Sequence, residues 1–400
     1  MKYYHIVAKL LSPLMVQRGR QTNAPETLSY LPGSTLRGAV AAKFFQQGGS
    51  QNDASFLSLF VEHPISFPNL LPASDPGTLP SMLPLTAVSC KRHPGFLTEE
   101  RHGVRDHLAV TAARRLLKQT LKGNSARCFH NGPAKTCREF LEPFTAYWNG
   151  SLDKPLEQKT NVLYRRHTGI DRMTGTVASA VFYTTQAIAD YCRDETSEEK
   201  GGNGSGDPDF RRQYLSGAFY MDDDQFELLR PLIEQGSLFV GADRSRGYGE
   251  IEVSIREREP PGFNVSEWSK EFHARVVMVS GEELEDAIYF SLKLESHAVL
   301  VDRYLRPASD ITIAFPEIEP LLKVTRGHIL RGWQTAWGLP KPDDMALSMG
   351  SVFLFRYTGK DIQGLESALQ GMAREGIGLR REEGCGRVSL CDPFHLTEVI

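Results

Sequence analysis

"GADRSRGYGEIEV" at residues 241–253 and "GLRREEGCGRVSL" at 378–390 are the same loop written twice. Both read G-x-x-R-x-x-G-x-G with a branched apolar residue two positions on. Gly241, Arg244, Gly247, Gly249 and Ile251 fall without gaps on Gly378, Arg381, Gly384, Gly386 and Val388. Glycines free to take positive φ let such a loop aim several backbone N–H groups at one anion. Arginines beside it add charge-assisted, bidentate contacts to phosphate. In the first copy the candidate contacts are Gly241, Arg244, Ser245, Arg246, Gly247, Tyr248 and Gly249. In the second they are Arg380, Arg381, Gly384, Gly386 and Arg387. A single such loop reads more readily as a tight turn that merely needs glycine; its repetition at the same topological place favours binding. Glu382 and Glu383 count against phosphate at the second copy, which fits structure or a protein partner as well. A Walker-type nucleotide site is excluded, because neither loop ends in G-K-[ST] and both lead into strands.

Outward from the loops, each half repeats one order. "QYLSGAFYM" (213–221) reads as a strand and "DDQFELLRPLIEQG" (223–236) as a helix before the first loop. "SMGSVFLFRY" (348–357) and "DIQGLESALQGMA" (361–373) do the same before the second. Strand, helix, glycine loop and strand thus close each half. This is an internal duplication, and it predicts two similar α+β domains over 1–257 and 258–400. "YYHIVAKLLSPLMV" (3–16) reads as the first strand. "LPGSTLRGAVAAKFFQQGG" (31–49) reads as a turn and a helix capped by Ser34 or Thr35 and ended by Gly48.

Recurrent prolines from Glu62 to Pro84 argue against regular structure, and residues 90–150 read as irregular. An insertion over about 62–155 is expected. "NVLYRRHTGIDRMTGTVASAVFYTTQAI" (161–188) reads as two strands around a turn near Met173–Gly175, and the polar stretch 193–209 as a mobile loop. After a linker at 256–268, further strands are expected at 271–281, 296–302 and 321–325.

The 400 residues are 40% hydrophobic and 24% charged, as in a soluble protein of more than one domain. No run of eighteen apolar residues predicts a membrane span. The opening "MKYYHIVAKLL" has no leader pattern, so a cytoplasmic protein is expected. Net charge of −3 argues against coating nucleic acid by bulk charge, and any such site must come from local patterning. One local concentration is Lys159, Arg165, Arg166 and Arg172 around the hairpin, where Tyr164 and His167 offer rings to stack on bases. A solvated basic strand pair is the plainer alternative.

The six cysteines form no dense framework, which fits a reducing compartment. Cys90, Cys128 and Cys137 share a stretch with His93, His102, His107 and His130. Three thiolates and one imidazole would close a tetrahedral structural zinc site, with His102 the first choice of fourth ligand and His130 the second. The spacing is not that of a standard finger, and unliganded cysteines fit equally.

Taken together, the chain resembles the CRISPR-associated RAMP superfamily. The glycine loops match the family's loop between last helix and last strand. "LPGSTLRGAVAAKF" matches its P-G-S-x-[LI]-[KR]-G run, which carries Ser34 and Arg37 here. "RRHTGIDRMTGTVA" (165–178) matches an H-x-x-I-D-R-x-T-G-T segment of type III effector subunits. "GWQTAWGLPKPDDMALSMGSVFLF" (332–355) resembles the second domain of a type III-D subunit. The resemblance implies two ferredoxin-like (RRM-like) domains in a non-catalytic antiviral-defence subunit. Such a subunit holds the 5′ handle of the guide RNA (crRNA), with target RNA in the assembled complex. It bridges the large polymerase-like subunit and the adjacent backbone RAMP subunits.

Some relatives cut RNA, so an RNA endonuclease is the alternative, and a pure protein adaptor is a third. Guide-processing relatives use a histidine near the first helix, where this chain has none; His5 is the nearest upstream. Asp171 is expected to be a buried structural carboxylate paired with Arg172 or Arg166. No HD pair and no G-G-D-D run is present.

Overall fold

The computed structural model describes residues 1–17, 26–118, 126–130, 136–193, 210–334 and 337–400. The expected loop at 193–209 lies, apart from its first residue, outside them. In the N-terminal half the principal elements are β1 (Lys2–Leu10), α1 (Gly33–Gln46), β2 (Leu71–Ala73), α2 (Leu108–Leu116), β3 (Val162–Ile170), β4 (Val177–Ile188), β5 (Tyr214–Met221), α3 (Asp223–Glu234) and β6 (Glu250–Glu257). The C-terminal half runs α4 (Val265–Ser280), β7 (Ile288–Leu294), β8 (Ile318–Val324), β9 (Val352–Tyr357), α5 (Ile362–Glu375) and β10 (Val388–Leu390).

Two antiparallel sheets carry the two glycine loops. The first is ordered β6–β1–β5–β2, with Leu238–Phe239 added outside β6. Its centre is Ile6, opposite Gly217 on β5 and Ile255 on β6. The second is ordered β8–β9–β7–β10, with Phe290 opposite Phe355 and Leu292 opposite Leu390. In both, the last strand pairs with the first, the first with the third, and the third with the second. One difference stands out: α1 lies between β1 and β2, whereas α4 precedes β7 and no helix joins β7 to β8.

On β1 the residues Tyr4, Ile6, Ala8 and Leu10 enter a core with Leu36 and Val40 of α1 and Leu229 and Ile233 of α3. Alternation predicts that the other face meets water, yet Tyr3, His5 and Val7 are buried too. The chain after β2 lies across them. Ser216 Oγ donates to Thr78 O at 2.6 Å and Arg258 to Gly77 O at 3.5 Å. The adjacent rings of Tyr3 and Tyr220, 4.8 Å apart, are therefore not an open stacking platform.

Several expectations need correction. The helix at 31–49 starts two or three residues early: Pro32 is its N-cap, neither Ser34 nor Thr35 caps it, and the Gly33 N–H is satisfied by Asn69 Oδ1 at 2.9 Å. The proline-rich 62–84 contains β2, because Pro72 sits on an edge strand where its missing N–H costs no ladder bond. The expected strand at 271–281 is helix α4. Asn264 caps it by accepting from the Glu267 N–H, and Val265, Trp268, Phe272 and Val276 form one buried stripe of helical spacing. Residues 296–302 make only isolated bridges, Ala298 to Leu347, Val299 to Leu379 and Val301 to Pro307.

The stretch 90–150 is also more ordered than expected. Ala87–Cys90, Val104–Asp106 and Leu141–Pro143 form a small sheet, and α2 follows. Leu108, Ala109, Ala112 and Ala113 of α2 pack into the core of the second sheet with Phe272 and Phe290. Val104 and Ile400 exchange backbone hydrogen bonds at 2.8 and 2.9 Å. Lys293, wholly buried on β7, reaches Ser81 Oγ at 2.8 Å and Asp392 at 2.6 Å. The insertion of the first half thereby completes the second. Among the described residues no helix is long and apolar enough to cross a membrane.

Candidate nucleic-acid interface

The first glycine loop depends on left-handed backbone. Gly241, Asp243, Gly247 and Gly249 have φ of 78°, 54°, 83° and 81° around a short 3-10 turn, Arg244–Arg246. A Cβ at Gly241 would run into Met15 O and one at Gly249 into Val240 O, so both positions demand glycine on space as well as φ. The geometry lifts Arg244, Ser245, Arg246 and Gly247 into solvent. Arg246 Nη1 lies 3.3 Å from Asp243 and 3.4 Å from the Tyr183 hydroxyl. The Arg244 guanidinium has no polar partner among the described residues.

The β3–β4 hairpin stands against this loop. Cross-strand register puts Arg165 opposite Thr185 and His167 opposite Tyr183. The His167 and Tyr183 rings stack at 4.7 Å, and His167 Nε2 lies 3.0 Å from Thr185 Oγ1. The Arg165 guanidinium sits 5.1 Å from the Tyr248 ring centre. The result is a corner with Arg165, Arg244 and Arg246 as exposed cations and the His167–Tyr183 pair as its aromatic wall. Tyr164 and Arg166 occupy the opposite face of β3, and Arg172 the exposed tip.

Two expectations fail here. Tyr248, expected as an RNA contact of the first loop, is 3% exposed and packs with Met15 and Ala187 as the floor of the corner. Asp171 is exposed rather than buried and makes no ion pair with Arg166 or Arg172 among the described residues. Its Oδ1 accepts from the Met173 N–H at 2.7 Å and the Thr174 N–H at 3.3 Å, holding the turn. Lys159 pairs with Glu157 at 2.8 Å. Tyr183 was not foreseen; the strand register opposite His167 is the signal that would have found it.

The second loop repeats the backbone but not the setting. Gly378, Arg380, Gly384 and Gly386 have φ of 75°, 58°, 88° and 73°, with a 3-10 turn at Arg381–Glu383. The Arg380 side chain, 15% exposed, pairs with Asp344 at 2.8 Å and Glu383 at 2.6 Å, and Lys341 also reaches Glu383. Ser66 Oγ donates to Arg381 O at 2.6 Å, and a Cβ on Gly33 or Gly384 would press on Phe67 O. The loop thus rests on the start of α1, where Gly384 and Gly386 are buried. Arg387 lies near Tyr3, Tyr220 and Glu295, and burial lowers its pKa. Only Arg381 keeps an exposed head. Arg380, Gly384 and Gly386 are therefore not open to a ligand, and Arg387 is half-buried. Arg37 is likewise engaged, donating to Phe60 O at 2.9 Å over the Phe60 ring. Ser34 is half-buried beside this contact.

Elsewhere, Cys90, His102, Cys128 and Cys137 bring their ligand atoms within 4.8 Å of one another. Cys90 Sγ and Cys137 Sγ are 3.9 Å apart, and Cys128 Sγ and His102 Nδ1 3.4 Å. Metal–sulfur bonds of about 2.3 Å and metal–nitrogen bonds of about 2.0 Å give tetrahedral edges of roughly 3.5–3.8 Å, so this set could hold a metal ion. Burial, with the thiols of Cys90 and Cys137 nearby, pushes the Cys128 pKa up to about 11; a bound cation reverses that balance. His130 stacks on His102 at 4.3 Å instead of joining the four.

The family model described as the RAMP superfamily matches residues 7–252. No curated protein matches the chain. Among solved structures, a Type III-B Cmr-beta bound to cognate target RNA and AMPPnP is 14% identical, covers 92% of this chain and 93% of its own, and gives a TM-score of 0.36. The Cmr-beta bound to cognate target RNA is 13% identical over 93% and 95%, with a TM-score of 0.37. Its apo state is 10% identical over 64% and 97%, with a TM-score of 0.28.

Proposed function

The chain belongs to the RAMP superfamily, and from that premise we propose that it is a non-catalytic RNA-binding subunit of a type III CRISPR effector complex. The observation that carries this is the loop–hairpin corner. It holds Arg244 and Arg246 in solvent on a turn bounded by left-handed Asp243 and Gly247, with Arg246 against Tyr183 of the stacked His167–Tyr183 pair and Arg165 over Tyr248. Phosphates suit the guanidinium forks, and unstacked bases suit the rings. In this reading the RNA is the guide, held by its 5′ handle, and the segment at 332–355 favours the type III-D branch. The large subunit and a backbone RAMP subunit flank the chain. Both sheets are then copies of one ferredoxin-like unit, supported by their common strand order. In the second copy α4 takes the place of the helix missing between β7 and β8.

Absence of catalysis is part of the proposal. His5 lies under the segment after β2, with burial lowering its pKa to about 4, and the Asp171 carboxylate is committed to a turn. The cysteine cluster is read as one structural zinc held by Cys90, His102, Cys128 and Cys137, with no part in chemistry. Guide binding by the full chain carrying Arg244→Ala and Arg246→Ala tests the corner. Affinity for the handle should fall, and the slope of log K against log salt should flatten by about 0.7 for each phosphate no longer neutralised. Unchanged affinity and slope would overturn the assignment.

A further inference from the structure

The cysteine cluster sits in the most basic part of the chain. Residues 91–138 contain eleven Lys/Arg against three Asp/Glu, while the whole chain has 46 against 49. The distribution within this stretch follows the cluster. Each of the four ligand residues has a basic neighbour in sequence: Lys91 after Cys90, Arg101 before His102, Arg127 before Cys128 and Arg138 after Cys137. All four neighbours are exposed. Because the ligand atoms converge within 4.8 Å, their neighbours are drawn around one small lobe. A zinc ion with three thiolates and a neutral imidazole retains one negative charge, far less than this excess of cations would need to offset.

Few of these cations are consumed locally. Lys91 meets Glu142 at 2.7 Å with most of its side chain in water, a pair of little energetic weight. Arg127 donates to Arg138 O at 2.8 Å and lies 4.4 Å from the Phe140 ring centre. Arg101 and Arg138 have no acidic partner among the described residues. Rings are interleaved with the charges. Phe129 is 37% and Phe140 53% exposed, and His93, His102 and His130 form a run of rings at 4.3 Å spacing. Cations tracking a backbone, with aromatic faces open between them, are the makings of a single-strand binding surface.

We propose that this lobe is a second binding surface for single-stranded RNA, built from residues distinct from the loop–hairpin corner. Phosphates lie against Lys91, Arg101, Arg127 and Arg138, and bases stack on Phe129 and Phe140. The proposal rests on the metal reading only for what gathers the four cations.

The test measures anisotropy of a labelled mixed-sequence single-stranded RNA on the full chain over a salt series. Lys91→Gln, Arg101→Gln, Arg127→Gln and Arg138→Gln combined should weaken binding at least tenfold and lower the salt slope by up to about 2.8. Zinc content by elemental analysis and the unfolding midpoint should stay unchanged, which separates weakened RNA binding from impaired folding. Phe129→Ala with Phe140→Ala should weaken binding while leaving the slope in place. Unchanged affinity in both variants, with zinc retained, overturns the lobe. So does complete loss of RNA binding in the Arg244→Ala, Arg246→Ala protein, since the lobe should bind without the corner. Weaker binding by the lobe variants with none by that protein's substitutions supports the lobe and overturns the corner instead.

Discussion

Arg244 and Arg380 sit one position apart in the two matching loops, Arg380 falling on Asp243, and they acquire different physical roles. Both belong to a loop with the same left-handed turns, but Arg244 projects into water while Arg380 is enclosed by Asp344 and Glu383. Removing one partner of a buried ion pair leaves the other charge uncompensated, at a cost of about 3–5 kcal/mol. Arg380→Ala should therefore lower the unfolding free energy by less than that, because Lys341 still neutralises Glu383 and Asp344 is partly exposed. Arg244→Ala should leave it within about 0.5 kcal/mol. Denaturant melts of the two variants check the contrast. The spacing of glycine and arginine was legible in the sequence. That Arg380, the residue before the second copy's motif arginine, is spent on Asp344, 36 positions earlier, was not, because that contact arises only when the ribbon around 344 folds back.

At the scale of elements, α4 is the instructive misreading. "EFHARVVMV" is rich in β-branched and aromatic residues, which favour strands in isolation. A strand would have put Phe272, Ala274, Val276 and Met278 on one face. In the structure Phe272 and Val276 are fully buried whereas Met278 is 66% exposed, as helical spacing requires. Phe272→Ala should cost about 3–5 kcal/mol, while Met278→Ala should be close to neutral. Equal destabilisation by the two in chemical unfolding would contradict the helical register. The deciding signals were Asn264 as N-cap, seven residues before the stretch 271–281 that looked strand-like, and Gly281 at its last position, at φ 75°, as stop. β2 escaped notice for the opposite reason. A three-residue edge strand around Pro72 has no periodicity to detect, and it exists because β5 offers an unpaired edge.

For the whole molecule, the insertion matters more than its sequence suggests. Through α2, the Val104–Ile400 pairing and the Lys293 contacts it is built into the C-terminal half, and its own strands converge on the four-residue cluster. Folding energy supplied by a metal should then be felt beyond the lobe that binds it. Chelation of the purified full chain should raise hydrogen exchange not only near Cys90 and Cys128 but also in α4 and β7, while β1 and β5 change little. Exchange confined to 87–142 would show the two regions to be energetically separate.

By itself the sequence determined the local requirements: where backbone must turn left-handed, which strands and helices close each half, and which thiols and imidazole have matching chemistry. These depend on residues a few positions apart, or on side-chain type alone. Only the tertiary structure decided which glycine loop faces solvent, that Tyr248 is buried and Arg387 half-buried, and that a helix inserted in one half fills the core of the other. Exposure is a property of what packs alongside, and those neighbours lie from tens to hundreds of residues away along the chain.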